Sequence, residues 1–288
     1  VALRLLAIHA HPDDESSKGA GTYASYVDAG AEVMIVSCTG GEAGDVLNSA
    51  VHARAHAERD IAGLRRLEMA AAQEILGVQH RWLGFADSGM PEDGVLHPNC
   101  FARIPLEMSV RPLLRLIRKF KPHVLVTYDE NGGYPHPDHI RTHEVSMLAW
   151  QLAGNTNYPE LGEPWEPQKL YYDRTMNQVR AKSLLEHIAQ HPEEHLAERM
   201  EAALNFMMER ESTPTTQISI ANYLERRDAA LLAHASQVAP DHEFFFAYPR
   251  ELEAVAYPYD DYELVASRVK CELPETDLFN GVLEEGLQ

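Results

Sequence analysis

Apolar positions along the chain fall into two alternating kinds of segment. Short runs with few polar interruptions, Leu3 to Ile8, Glu32 to Cys38, His80 to Leu83, His123 to Thr127 and Lys169 to Tyr172, have the length and composition of buried strands. Between them the spacing is helical. One stretch runs from Ser16-Ser17 to about Ala29 and is stopped by Gly30, and a long one runs from about Ala53 to Leu76 and is closed by Gly77. Two more cover Pro105 to Phe120 and about His139 to Leu152. Strands alternating with helices predict an α/β fold with a mostly parallel sheet flanked by helices. In the common strand order 3-2-1-4-5, the first and fourth strands are neighbours, and ligands bind in the crevice at their carboxyl ends.

Beyond Leu152 the pattern changes. Asn155 to Pro167 reads as a loop, Asn177 to Met208 and Ala221 to His234 as charged helices, and Tyr262 to Val269 as a further strand. The expected organisation is a catalytic domain over residues 1–172 and a smaller mixed C-terminal portion over 173–288 that covers the open edge of the site.

Charge narrows the class. Asp plus Glu number 44 against 25 Lys plus Arg, a formal net charge of -19 that repels phosphate backbones and anionic lipid, so nucleic acid is not an expected partner. The first apolar run is short, broken by Arg4 and followed at once by His and Asp, which is neither a signal peptide nor a membrane span. Cys38, Cys100 and Cys271 are too few and too scattered for a disulfide framework, which fits a reducing cytoplasm.

Chemistry concentrates in two clusters, His11-Pro12-Asp13-Asp14-Glu15 after the first strand and His136-Pro137-Asp138-His139 after the fourth. His-x-x-Asp on a tight turn can aim His11 and Asp14 at one point, and His139 supplies a third ligand. Imidazole with carboxylate suits a divalent ion such as zinc, and three protein ligands leave a position for water. Asp13, unligated but close, can act as general base, and a protonated His136 can stabilise an oxyanion or protonate a leaving amine. His97-Pro98 and His191-Pro192-Glu193-Glu194-His195 also pair His with Pro, but the second lies in a charged helical stretch with no preceding strand. Both are excluded from the site.

An apolar strand ending in His-Pro-Asp-Asp-Glu, a Thr-Gly-Gly-Glu loop at Thr39 to Glu42, a later His-Pro-Asp-His and the segment His234-Ala235-Ser236-Gln237 together resemble the LmbE/PIG-L family of zinc-dependent N-deacetylases. The resemblance implies a Rossmann-like fold and Zn2+ as cofactor, with Fe2+ as its alternative in the cell. It implies His11, Asp14 and His139 as ligands, Asp13 as base and His136 opposite the developing oxyanion. It adds Tyr134 as a carbonyl contact, Asp138 as support for the ligands, and Arg65 and Asp87 as sugar contacts, with Glu42 as a weaker candidate.

Within the family, Lys18 and the tail Tyr257 to Leu264, with Leu273-Pro274 and Asp277 to Phe279, resemble the branch that cleaves the amide of mycothiol S-conjugates. The expected substrate is therefore a small glycoside-thiol conjugate, split into glucosaminyl-inositol and an S-substituted N-acetylcysteine. A cation in the first turn of a helix opposes the macrodipole, which gives Lys18 modest support as a substrate contact. Two alternatives stand beside this reading: deacetylation of N-acetylglucosaminyl-inositol, and a non-catalytic sugar-binding protein with structural zinc. Structural sites usually have four protein ligands and no free base beside them. Oligomeric state is left open by the sequence.

Overall fold

A computed structural model describes residues 2–91, 93–190, 195–210, 212, 214–246 and 248–287. Those residues form one seven-stranded sheet in the order β3-β2-β1-β4-β5-β7-β6. Strands β1 (Arg4–His9), β2 (Glu32–Thr39), β3 (Gln79–Phe85), β4 (Val124–Thr127) and β5 (Lys169–Asp173) are parallel. Strands β6 (Thr216–Ser219) and β7 (Tyr259–Ser267) are antiparallel additions at the β5 edge. The first five strands thus take the order expected from the apolar pattern, and β1 and β4 lie side by side.

Both faces of the parallel strands are buried, which is why they read as continuous apolar runs. Alternate residues feed two cores. Leu5, Ala7, Val33, Ile35, Val124 and Val126 join one, and Leu6, Ile8, Met34, Val36 and Leu125 the other. Helices α1 (Asp14–Ser17) and α2 (Ala20–Asp28) follow β1, and α3 (Arg54–Arg59) and α4 (Ile61–Leu76) follow β2. On the opposite face lie α5 (Leu106–Phe120) and α6 (Pro137–Leu152), contributing Leu113, Ile117, Val145 and Ala149.

Two helices expected to be continuous are broken. The one after β1 splits at Gly19, whose φ of 84° is left-handed and where a Cβ would lie 2.7 Å from the Tyr23 ring. Lys18 therefore ends a four-residue helix instead of starting a longer one. The long helix splits at Asp60, whose carboxylate accepts the Gly63 N–H at 3.0 Å and caps α4.

After Asp173 come α7 (Gln178–Ile188), α8 (Leu196–Arg199), α9 (Glu201–Met208), α10 (Leu224–Ala233), α11 (Glu243–Phe246) and α12 (Arg250–Ala256). Helices α7 to α9 and α12 enclose a third apolar cluster that includes Leu184, Met200, Met207 and Tyr257. Helix α10 instead returns to the first core through Ala230, and β6 and β7 extend the main sheet. Strand β6, with the sequence Thr-Gln-Ile-Ser, is too short and polar for its periodicity to be read in advance. No helix among the described residues is long and apolar enough to cross a membrane. His191 to Glu194 of the excluded His-Pro cluster lie outside the described residues, and His97 is exposed.

Candidate active site

The end of β1 and the start of α6 bring the two clusters together. One donor atom each from His11, Asp14 and His139 can be chosen so that all lie within 4.8 Å of one another, and all three residues are buried. His139 Nδ1 faces the Gly132 carbonyl at 2.9 Å, so in the neutral ring Nε2 is the free acceptor nitrogen. That Nε2 is buried without a hydrogen-bond partner, 3.3 Å from Asp14 Oδ2. Two imidazoles and a carboxylate around an orphaned buried nitrogen fit a divalent metal ion.

The approach is tight throughout. The Tyr128 ring stacks on His139 with centroids 4.5 Å apart. A Cβ on Gly132 would lie 2.5 Å from that of His139, so only glycine fits there.

Asp14 divides its two oxygens. Oδ2 accepts the His11 backbone N–H at 3.0 Å and faces His139, while Oδ1 receives the Lys18 ammonium at 2.7 Å. Burial opposes the Asp14 carboxylate, yet His139 and Lys18 together hold it well below the usual carboxylate range. Burial likewise opposes a charge on His11, but the hydrogen bond to Asp138 and the nearby carboxylates of Asp87 and Asp14 outweigh it and lift His11 to about 10. The pocket thus attracts positive charge, whether proton or metal.

A second donor group, His11, Asp87 and His136, overlaps the first. Its His11 Nε2 is engaged by Asp138 Oδ2 at 3.3 Å. Asp138 is anchored in turn by Ser88, whose N–H donates at 2.9 Å and whose hydroxyl binds the other carboxylate oxygen. Such a carboxylate behind a histidine orients the ring toward an ion on its opposite side, which favours the group with His139.

Asp13 sits beside the ligands with φ 96°, a left-handed conformation uncommon for aspartate. Three contacts hold it. Arg65 donates to Asp13 Oδ2 at 2.8 Å and to the Pro12 carbonyl at 2.7 Å, and the Asp13 N–H donates to Glu15 Oε2 at 2.9 Å. Burial pushes the Asp13 carboxyl up, with Arg65 pulling the other way. Its side chain remains 28% exposed, toward a cleft of about 340 Å3 that it lines with His11, Arg65, Asp87, Tyr134 and His136.

His136 caps α6, its Nδ1 accepting the Asp138 N–H at 3.1 Å. Burial, with His11 and His139 close by, pushes it down to about 4. Burial and the neighbouring rings thus favour a neutral His136, and the bond to Nδ1 leaves its hydrogen on Nε2, which can donate without a charge.

The remaining residues divide. Tyr134 lies over His139 with ring centroids 4.4 Å apart and borders the cleft. Asp87 also borders it, fixed by the N–H groups of Ala43 and Gly89. Glu42 does not line it; its carboxylate accepts the Asp87 N–H at 3.1 Å and braces that loop. Lys18 borders a neighbouring cavity, with Tyr134 shared between the two. Sequence reasoning missed the fully buried Glu15–His234 pair, 2.7 Å apart, that stands behind Asp13. Both residues belong to segments that carry the family resemblance, Glu15 ending the first motif and His234 opening His234-Ala235-Ser236-Gln237, but nothing local pairs them.

Comparison with known proteins agrees with this geometry. The model of the PIG-L family, GlcNAc-PI de-N-acetylase, matches residues 6–150. The chain is 45% identical over 286 residues to a mycothiol S-conjugate amidase of Streptomyces coelicolor, covering 97% of both chains. It is 38% identical over 289 residues to a 1D-myo-inositol 2-acetamido-2-deoxy-alpha-D-glucopyranoside deacetylase of Streptomyces avermitilis, again over 97% of both. The fold matches that of N,N'-diacetylchitobiose deacetylase from Pyrococcus horikoshii, with a TM-score of 0.60 and 20% identity over 92% of this chain and 84% of that one.

Proposed function

Because the chain belongs to the PIG-L family of de-N-acetylases, we propose that it is a zinc-dependent amidase that hydrolyses mycothiol S-conjugates to glucosaminyl-inositol and an S-substituted N-acetylcysteine. One observation carries the chemistry: a buried two-histidine, one-carboxylate donor set with a second carboxylate, Asp13, held beside it by Arg65 on an open cleft. A closed structural site would have neither the open face nor the adjacent base. The substrate follows from the similarity to the S-conjugate amidase over nearly the whole chain.

His11, Asp14 and His139 would hold the ion, which supplies Lewis acidity to the amide carbonyl and lowers the pKa of water. Asp13 takes the proton of the attacking water, a task suited to a carboxyl raised by its surroundings. Neutral His136 donates its Nε2–H to the oxyanion, with the Tyr134 hydroxyl as a second donor from the cleft wall. Protonated Asp13 then returns its proton to the departing sugar nitrogen, which leaves as the amine. Arg65 keeps Asp13 in place, and Asp87 and Arg65 border the side of the cleft assigned to the sugar. The C-terminal portion, through Gln237, completes the cleft's rim.

The second reading, deacetylation of the acetylated glucosaminyl-inositol, is favoured by the 38% identity to that deacetylase and uses the same groups. Turnover of an S-conjugate beside the acetylated sugar tests the choice, in the native protein and in Lys18→Ser. The native protein should prefer the conjugate. Lys18→Ser should lower that preference roughly ten- to a hundred-fold, the value of one hydrogen bond to a charged donor. A native preference for the acetylated sugar would transfer the assignment to the deacetylase, and an unchanged ratio in the variant would leave Lys18 as a brace for Asp14 alone.

A further inference from the structure

The metal cleft is the first of three cavities in a row. Tyr134 borders it and also a second cavity, whose wall includes Lys18, Tyr128, Asp173 and Phe206. Met176 borders that second cavity and also a third, enclosed by Leu184, Met200, Met207, Phe244 and Tyr248. Consecutive residues keep the two together: Lys18 lines the second and Ser17 the third, and Arg174 and Thr175 divide in the same way.

Polarity changes along the row. Asp45, Arg65, Asp87 and Gln237 border the cleft, whereas methionine, leucine and aromatic side chains dominate the third cavity. The charged residues at the floor of that third cavity are paired with one another. Glu253 accepts from Arg180 at 2.5 Å, Arg227 at 2.8 Å and Arg250 at 2.7 Å, so what faces the void is largely hydrocarbon.

An S-conjugate has the same order of chemistry, a polyhydroxylated head, an amide, an acylcysteine and then a variable substituent on sulfur. Resting on the amidase reading, we propose that the second cavity takes the acylcysteine arm and that the apolar third cavity holds the substituent on sulfur. An acetyl group is too short to leave the cleft, so only the conjugate uses the row. The third cavity is about 60 Å3, room for a small alkyl group on sulfur before any side chain moves. Larger substituents enter by displacing Met176, Met200 and Met207, unbranched side chains that repack readily, so the subsite accepts varied shapes and discriminates by polarity.

The test is a series of S-methyl, S-butyl and S-benzyl conjugates beside the acetylated sugar, with native protein and Met176→Trp, which adds bulk to the wall the two inner cavities share, at a partly exposed position. Relative to the acetylated sugar, kcat/KM in the variant should fall about ten- to a hundred-fold for the benzyl conjugate and less than about threefold for the methyl one. Equal losses along the series, or none, would overturn the proposal. Phe244→Ala, also at a partly exposed position, should reduce the benzyl-over-methyl preference of a normally folded protein, and an unchanged preference would count against the cavity.

Calorimetric binding of the S-benzyl conjugate separates this inference from the amidase reading. If the native protein cleaves only the acetylated sugar, the amidase reading fails. The subsite itself is then decided by whether Met176→Trp weakens binding about tenfold, which supports it, or leaves affinity unchanged, which rejects it.

Discussion

Two regions of this molecule bury several charges together, and they do so in opposite ways. Around Glu253, Arg180, Arg227 and Arg250 converge on a carboxylate that is 3% exposed, with Asp228 taking further contacts from Arg227 and Arg250. Each charge there has fixed protein partners, and Glu253 is held far below the ordinary range of a carboxylate despite its burial, chiefly by Arg227. Around His11, by contrast, the carboxylates of Asp14, Asp87 and Asp138 crowd a pocket in which His139 Nε2 has no hydrogen-bond partner. A satisfied buried network fastens elements together. One left short of positive charge and carrying an orphaned nitrogen is arranged for something that arrives from outside.

The sharpest way to break this contrast is Asp13→Asn, which keeps the shape of the base and removes its proton affinity. Turnover should drop roughly 10²- to 10⁴-fold with metal content and melting temperature close to native. Near-native rates at full metal occupancy would remove Asp13 from the mechanism. Glu253→Gln should have the reverse profile: about 3–5 kcal/mol of stability lost in denaturant titration, because three arginines lose their counter-charge, with one metal still bound per folded chain. A loss of metal at native stability would show that the two regions are not independent.

The contrast was only partly legible in the sequence. The two candidate clusters could be read because local grammar marks them: each follows an apolar strand, and the strand order brings both to one edge. Asp13 and Asp14, adjacent in sequence, were assigned different roles, and they do part, one toward the cleft and one toward His139. The charge state of His136 was not legible, since it depends on the burial and neighbouring rings that only the folded site supplies. Nor was the Glu253 network, whose members lie on α7, α10 and α12 with spacings that carry no local pattern. The break at Gly19 was hidden too, because the Tyr23 ring and the Tyr262 hydroxyl that crowd it take their places only in the folded core.

A smaller effect sharpens the boundary between the regions. Asp173 ends β5 between them, and burial raises its carboxyl to about 7, although Thr175 donates to it. A carboxyl whose folded pKa exceeds its unfolded value is most stabilising when protonated. Its contribution is present below the unfolded pKa of about 3.9, fades as pH rises through the folded value near 7, and stays lost above it. Asp173→Asn should therefore raise the melting temperature relative to native by about 2–4 °C at pH 8, with the gain vanishing toward pH 4. A gain of equal size at both pH values would mean that protonation of Asp173 is not its cause.

The pocket around His139 offers the decisive case. Equilibrium dialysis against Zn2+, followed by elemental analysis, should find one ion per native chain and essentially none in His139→Ala, with turnover of the native apoprotein restored by one equivalent. Full occupancy in His139→Ala, or native turnover that is indifferent to metal removal, would contradict the assignment of His11, Asp14 and His139 as the metal site of an amide hydrolase.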